Sequence, residues 1–205
     1  MEVGTRERLI AVVVVTVSEG PAVYLWLRLD EAGHPWWGLL SLVVGELLET
    51  GLAGALIARQ RRNGTIPGAA SVPGDHQKKV GRLIGAACIA EIALWVLWLA
   101  LAEQIGQVVA AVVLLVLMHL KHHVEFIAAR DTPFRVGLLA PRSTFASAAE
   151  AAGAVACLAL LLDGRPALAA VALALGFLVE HTLLVDDLQS ELERRDIRLP
   201  RIATS

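Results

Sequence analysis

The chain has 205 residues, 56% of them apolar and 19% charged, with a net charge of −2 and a mean hydropathy of +0.62. Soluble domains usually carry about 25% charged residues, so an ordinary soluble domain and a disordered chain both fit poorly. The charge balance leaves no basic footprint for nucleic acid.

A helix needs roughly 20 mainly apolar residues to cross the hydrocarbon core. Six stretches approach that length, at 8–29, 36–58, 81–103, 105–128, 143–162 and 166–187. The first could be mistaken for a signal peptide, but Ser18-Glu19-Gly20-Pro21 interrupts it and no cleavage site follows, so it reads as a spanning helix. Trp26, Trp36 and Trp37 stand around the short connection 30–35 and fit an interfacial aromatic belt. The second stretch carries Glu46 and Glu49. Beyond it, 59–79 is polar and rich in Gly and Pro, as in Ile66-Pro67-Gly68 and Val72-Pro73-Gly74-Asp75, and should break the helix. The third stretch carries Glu91, with Trp95 and Trp98 on its outer part assigned to the same belt. The fourth carries His119, His122, His123 and Glu125; His123 and Glu125 lie toward the membrane edge, where they could snorkel or meet Lys121. A second polar connection, 130–142, contains Pro133, Phe134 and Pro141 and reads as a connecting loop or an interfacial lid. Glu150 lies in the fifth stretch and Glu180-His181 in the sixth, and Asp186, Asp187, Glu191 and Glu193 should continue the last helix into solvent. Cys88 and Cys157 sit inside apolar stretches, outside any CxxC pattern, and read as packing residues.

Short and long connections alternate, which predicts three helical hairpins at about 8–58, 81–128 and 143–187, and a cytoplasmic tail at 188–205. The expected architecture is a single all-α domain over 1–205, an integral-membrane six-helix bundle. Basic residues resist translocation. Of the 18, all but Arg28 and Arg165 flank the long connections or the termini, Lys121 included, so 16 fall on one side and both termini should be cytoplasmic. The expected location is a multi-pass place in a prokaryotic-type inner or plasma membrane.

Each hairpin carries a carboxylate after a small residue on its first helix, in Ser18-Glu19, Ala90-Glu91 and Ala149-Glu150. Glu49, His122 and His181 follow at intervals of 30, 31 and 31, which suggests diverged copies of one unit in a pseudo-threefold bundle. An ionisable group at the centre of a span costs about 3 kcal/mol, so six carboxylates placed against lipid would cost roughly 18 kcal/mol. Glu19, Glu46, Glu49, Glu91, His119, His122, Glu150, Glu180 and His181 must therefore face the interior, protonated, paired, hydrated or bound to a cation. Counted from the cytoplasmic basic residues, Glu19, Glu49, Glu91, His122 and Glu150 fall at one depth, roughly 12–17 Å in.

The spacing points to ligation. Glu46 and Glu49, and His119 and His122, are i,i+3 neighbours that can aim two donors at one centre. Carboxylate and imidazole donors without thiolates suit iron, with zinc or manganese as alternatives, and so many donors suit two ions. The arrangement is similar in kind to ferritin-like carboxylate bundles, but it lacks their Glu-x-x-His pairs. The expectation is a di-iron-type oxidoreductase acting on a membrane lipid or another lipid-soluble substrate, with an unidentified redox partner. The alternatives are a divalent-metal or proton-coupled transporter, a haem protein using His119 or His122 with His181, and a metal-free acid/base enzyme.

Overall fold

A computed structural model describes residues 3–62, 74–130 and 141–198, with side chains over most of 9–52, 85–123 and 142–186. Six helices run through them: α1 (Val3–Glu31), α2 (Pro35–Arg62), α3 (Gly74–Ile105), α4 (Gln107–Arg130), α5 (Pro141–Leu162) and α6 (Pro166–Arg198). The described residues contain no strand, so the fold is all-helical as expected. Helix α6 continues beyond Asp186 and Asp187 as predicted, and α3 starts at Gly74, directly after Pro73. The segment at Ile66-Pro67-Gly68 and most of the lid candidate, including Pro133 and Phe134, lie outside the described residues, as do the side chains of His76 and Glu125.

The short connections have a local cause. Gly33 and Gly164 take positive φ of 79° and 72°, a backbone that favours glycine. The next amide in each case reaches back five residues: His34 N–H donates to the Leu29 carbonyl at 2.7 Å and Arg165 N–H to that of Leu160 at 2.8 Å. This glycine cap closes the preceding helix. Pro35 and Pro166 then open the next one, where a missing N–H costs nothing. Arg28 and Arg165, the two basic residues at this end, are each engaged by a neighbouring acid, Glu31 at 2.7 Å and Asp163 at 2.8 Å.

Four helices, α1, α3, α5 and α6, contain stretches long and apolar enough to cross a membrane, and α4 contributes a shorter apolar run over Gln107–His123. Large apolar side chains point outward along them, among them Val17, Ile89, Val112 and Val171, as expected where the surroundings are lipid rather than water.

The most extensive packing is between consecutive helices, α1 with α2, α3 with α4 and α5 with α6; α6 also packs on α1 and α4 on α5. Small residues let backbones approach, the usual device where lipid removes the hydrophobic driving force. A Cβ on Gly176 would fall 2.9 Å from the Gly153 Cα, and one on Gly45 would fall 2.2 Å from the Ala22 Cβ.

Aromatic residues fill the centre. Trp95 meets Trp26 and Trp98 edge to face, at centroid distances of 6.4 and 5.7 Å, and Phe177 at 6.1 Å. The belt assignment therefore holds in burial terms only for Trp36 and Trp37, exposed at 81% and 67%. Trp26, Trp95 and Trp98 are core residues, at most 3% exposed. The reason is helix phase: Trp95 and Trp98 follow Glu91 by four and seven residues, on the same inward face.

Candidate metal centre

Trp95 stands one turn beyond Glu91 on α3, and Phe177 one turn before His181 on α6. The aromatic cluster therefore underlies the polar layer on the side of the short connections. Phe177 stacks on the His181 ring, at 5.8 Å and 15°. Above this floor the ionisable side chains converge. Glu19, Glu46, Glu91, His122, Glu150, Glu180 and His181 are each at most 5% exposed, and Glu49 is half-buried.

They assemble into three touching groups rather than around one point. His122, Glu150 and Glu180 bring a donor atom each within 4.8 Å of one another; so do Glu19, Glu49 and His181, and so do Glu19, Glu46 and Glu91. Glu19 belongs to two groups, and Glu180-His181 joins the others. His119 is half-buried and belongs to none of them. The pairing of His119 with His122 at one centre thus does not arise among the described residues, whereas Glu180 and His181 serve neighbouring groups because they point about 100° apart.

The His122 group has the most fully determined geometry. Ser147 Oγ donates its hydroxyl proton to the Ser143 carbonyl at 2.8 Å, and Ser147 Oγ lies 2.8 Å from His122 Nδ1. With that proton committed, Ser147 can only accept, so Nδ1 carries the imidazole hydrogen. In the neutral ring Nε2 then presents a lone pair, and it does so 2.8 Å from Glu180 Oε1 and 3.5 Å from Glu150 Oε2. A lone pair set against carboxylate oxygens repels them unless a proton or a metal cation lies between. The His181 group repeats the theme. Its Nδ1 lies 2.9 Å from Thr16 Oγ1, and its Nε2 lies 3.2 Å from Glu19 Oε2 and 3.9 Å from Glu180 Oε2. The Glu180 carboxylate thus turns one oxygen to each imidazole. Glu19 is directed into the group.

The third corner is different. Lys121, counted above with the flanking basic residues, forms an ion pair with Glu91, and its side chain is 9% exposed. It bends inward because the buried Glu91 offers the nearest opposite charge. His123, expected near the membrane edge, is 1% exposed. Six carboxylates share the layer with Lys121, His122 and His181. Glu19 Oε1, both Glu46 oxygens and Glu180 Oε2 are buried without a hydrogen-bond partner among the described residues.

No family model matches the chain, and no curated protein or solved structure shows significant similarity to it. The chemistry therefore has to be read from the side chains.

Sequence reasoning missed Thr16, Ser147 and Lys121. A signal for the first two was present: a hydroxyl residue three positions before a buried glutamate, in Thr16-x-x-Glu19 and Ser147-x-x-Glu150, shares its face. An open apolar groove of about 260 Å3 between α4 and α5 is lined by Ala111, Leu115, Ala148, Ala151 and Val155 among others. Its stripe on α5 is turned by roughly 150° from Glu150, so it faces lipid rather than the polar layer.

Proposed function

We propose that this protein is an integral-membrane metalloprotein in which two divalent ions are held by carboxylate and imidazole ligands inside a six-span bundle of three hairpins. One observation carries the reading: His122 Nε2, its ring hydrogen committed at Nδ1 to Ser147, faces the oxygens of Glu180 and Glu150. A cation between them removes the repulsion, and the Ser143 carbonyl–Ser147–His122 relay is the kind of outer support that fixes a metal-binding imidazole. Glu180, with one oxygen toward each histidine, stands between the two groups.

Each of the two histidine-containing groups supplies one imidazole and two carboxylates and no thiolate, a donor set that suits iron, manganese or zinc. With iron, the reading is a redox oxidoreductase acting on a lipid-soluble substrate. The metal would supply oxidation chemistry, while the chain holds the ligands and keeps water out with its tryptophan floor. Haem between His122 and His181 is disfavoured, because the Glu180 carboxylate occupies the space between the two Nε2 atoms. All but Arg28 and Arg165 of the 18 basic residues fall toward the other end by sequence, which supports a cytoplasmic placement of both termini.

Elemental analysis with Mössbauer and electron paramagnetic resonance spectroscopy on detergent-purified protein tests the proposal. About two iron atoms per chain, reduced on His122→Ala, is the expected result, and a metal-free chain overturns it. Zinc as the native metal would remove the redox assignment while keeping the site. Metal uptake into liposomes would move the protein to the transporter class.

A further inference from the structure

The repeat aligns without a gap inside any copy. Glu91 and Lys121 stand 72 residues beyond Glu19 and Glu49, and Glu150 and Glu180 stand another 59 beyond those. In this register Leu42, Leu114 and Leu173 coincide, all at most 1% exposed. Gly38, Ala110 and Ala169 also coincide, all small and buried. The second helices are thereby shifted by one residue from the Glu49, His122, His181 series. Glu49, Lys121 and Glu180 become equivalent, and Thr50, His122 and His181 form the next series.

Contacts that played no part in choosing the register obey it. Thr16 and Ser147 become equivalent, and each puts its hydroxyl on the Nδ1 of a histidine from another hairpin, His181 on α6 and His122 on α4. The equivalent pairs Glu19–Glu49 and Glu150–Glu180 each close on that same histidine. The glycine contact of Gly176 with Gly153 overlays that of Gly45 with Ala22. In the remaining copy the two carboxylate positions hold Glu91 and Lys121, which are ion-paired. The hydroxyl position there is Cys88 and the imidazole position Thr50.

We infer that the bundle contains three copies of one cation-binding site, two built for a metal ion and a third whose cation is the ammonium of Lys121. The inference rests on the metal reading above and adds its stoichiometry and its ligands. Paired carboxylates inside a membrane need positive charge between them. Where the copy keeps its histidine, both acidic positions are glutamate and the imidazole Nε2 is turned toward them as a ligand would be. Where it lacks the histidine, one acidic position has become lysine and the charge is built in. Two carboxylate oxygens, Glu19 Oε1 and Glu180 Oε2, are buried without a hydrogen-bond partner among the described residues, as atoms awaiting a ligand would be, and Glu180 Oε2 is the oxygen turned toward His181. The metal ligands are then Glu19, Glu49 and His181 in one copy and His122, Glu150 and Glu180 in the other. Glu46 and Glu91 belong to the lysine copy and bind no metal.

The test reads metal content per chain after loading the full-length, detergent-purified protein with Fe(II) under argon. The wild type should hold two ions. The double variant Glu49→Lys/His181→Thr rewrites the first copy in the image of the third and should hold one. The reverse triple variant Lys121→Glu/Thr50→His/Cys88→Ser should hold three. Glu46→Gln, which keeps the Lys121–Glu91 ion pair, should still hold two, so the inference stays exposed even where a charge-rewritten variant fails to fold. Two ions retained in Glu49→Lys/His181→Thr, or an ion lost in Glu46→Gln, overturns the inference while leaving the metal reading intact. A wild type without metal overturns the metal reading itself.

Discussion

Lys121 and His122 are adjacent on α4, yet they face two corners of the polar layer that solve the same problem differently. At the His122 corner an imidazole, oriented by Ser147, turns its Nε2 toward two carboxylates. At the Lys121 corner a full cation lies against Glu91, with Glu46 and Glu19 close by. Counting buried acids ranks the corners alike, because Glu19, Glu46 and Glu91 converge as closely as the histidine-containing groups. What separates a ligand site from an ion pair is whether the chain supplies the positive charge itself.

That contrast can be broken most directly at the lysine. Lys121→Met should destabilise the protein by about 3–5 kcal/mol, the usual cost of stranding one member of a buried pair. Unfolding in mixed detergent–SDS micelles measures it, and a loss within about 0.5 kcal/mol, as at an ordinary surface position, would show that Glu91 does not depend on the ammonium. The histidine corner should respond in metal affinity instead. Ser147→Ala removes the acceptor that orients His122 and should weaken binding about 10–100-fold. Cys88→Ala, at the matching position of the lysine corner, should leave affinity unchanged, and equal effects of the two in a metal titration would erase the distinction.

Helix packing sharpens the same comparison at smaller energies. Gly153 and Gly176 seat α5 on α6, whereas the matching positions of α3 and α4 are Leu94 and Leu117. A Cβ at Gly176 would meet the Ala149 carbonyl oxygen at 2.7 Å, so Gly176→Ala should cost about 1–3 kcal/mol and perturb the adjoining Glu150 and Glu180. Gly51 on α2 has open space where its Cβ would be. Gly51→Ala should raise stability by up to about 1 kcal/mol through helix propensity alone, and a loss there in the same unfolding assay would reveal a contact at that face.

Much of this architecture was legible before any coordinates. Six apolar stretches became six helices, and the Gly-x-Pro connections ended and restarted them where composition said they should. The nine candidate ligands were recognised because ionisable groups in apolar helices are costly, and eight of them enter the three groups. His119 does not, because i,i+3 spacing states only that two side chains share a helix face and leaves open what that face meets. Trp95 and Trp98 were misassigned for a related reason. Aromatic residues suit both a membrane interface and a core, and only the neighbouring helices distinguish the two.

Hydropathy, helix rise and the chemistry of turn residues are properties of the chain taken along its length. They were enough to determine an apolar, lipid-suited helical protein, where its helices begin and end, and that its acids and imidazoles lie at one depth. The rotation of each helix about its own axis is set by packing, through contacts such as Gly176 on Gly153 and Trp95 on Phe177. That rotation alone decided that Lys121 turns inward to Glu91, that Ser147 stands behind His122, and that Glu180 faces two histidines at once.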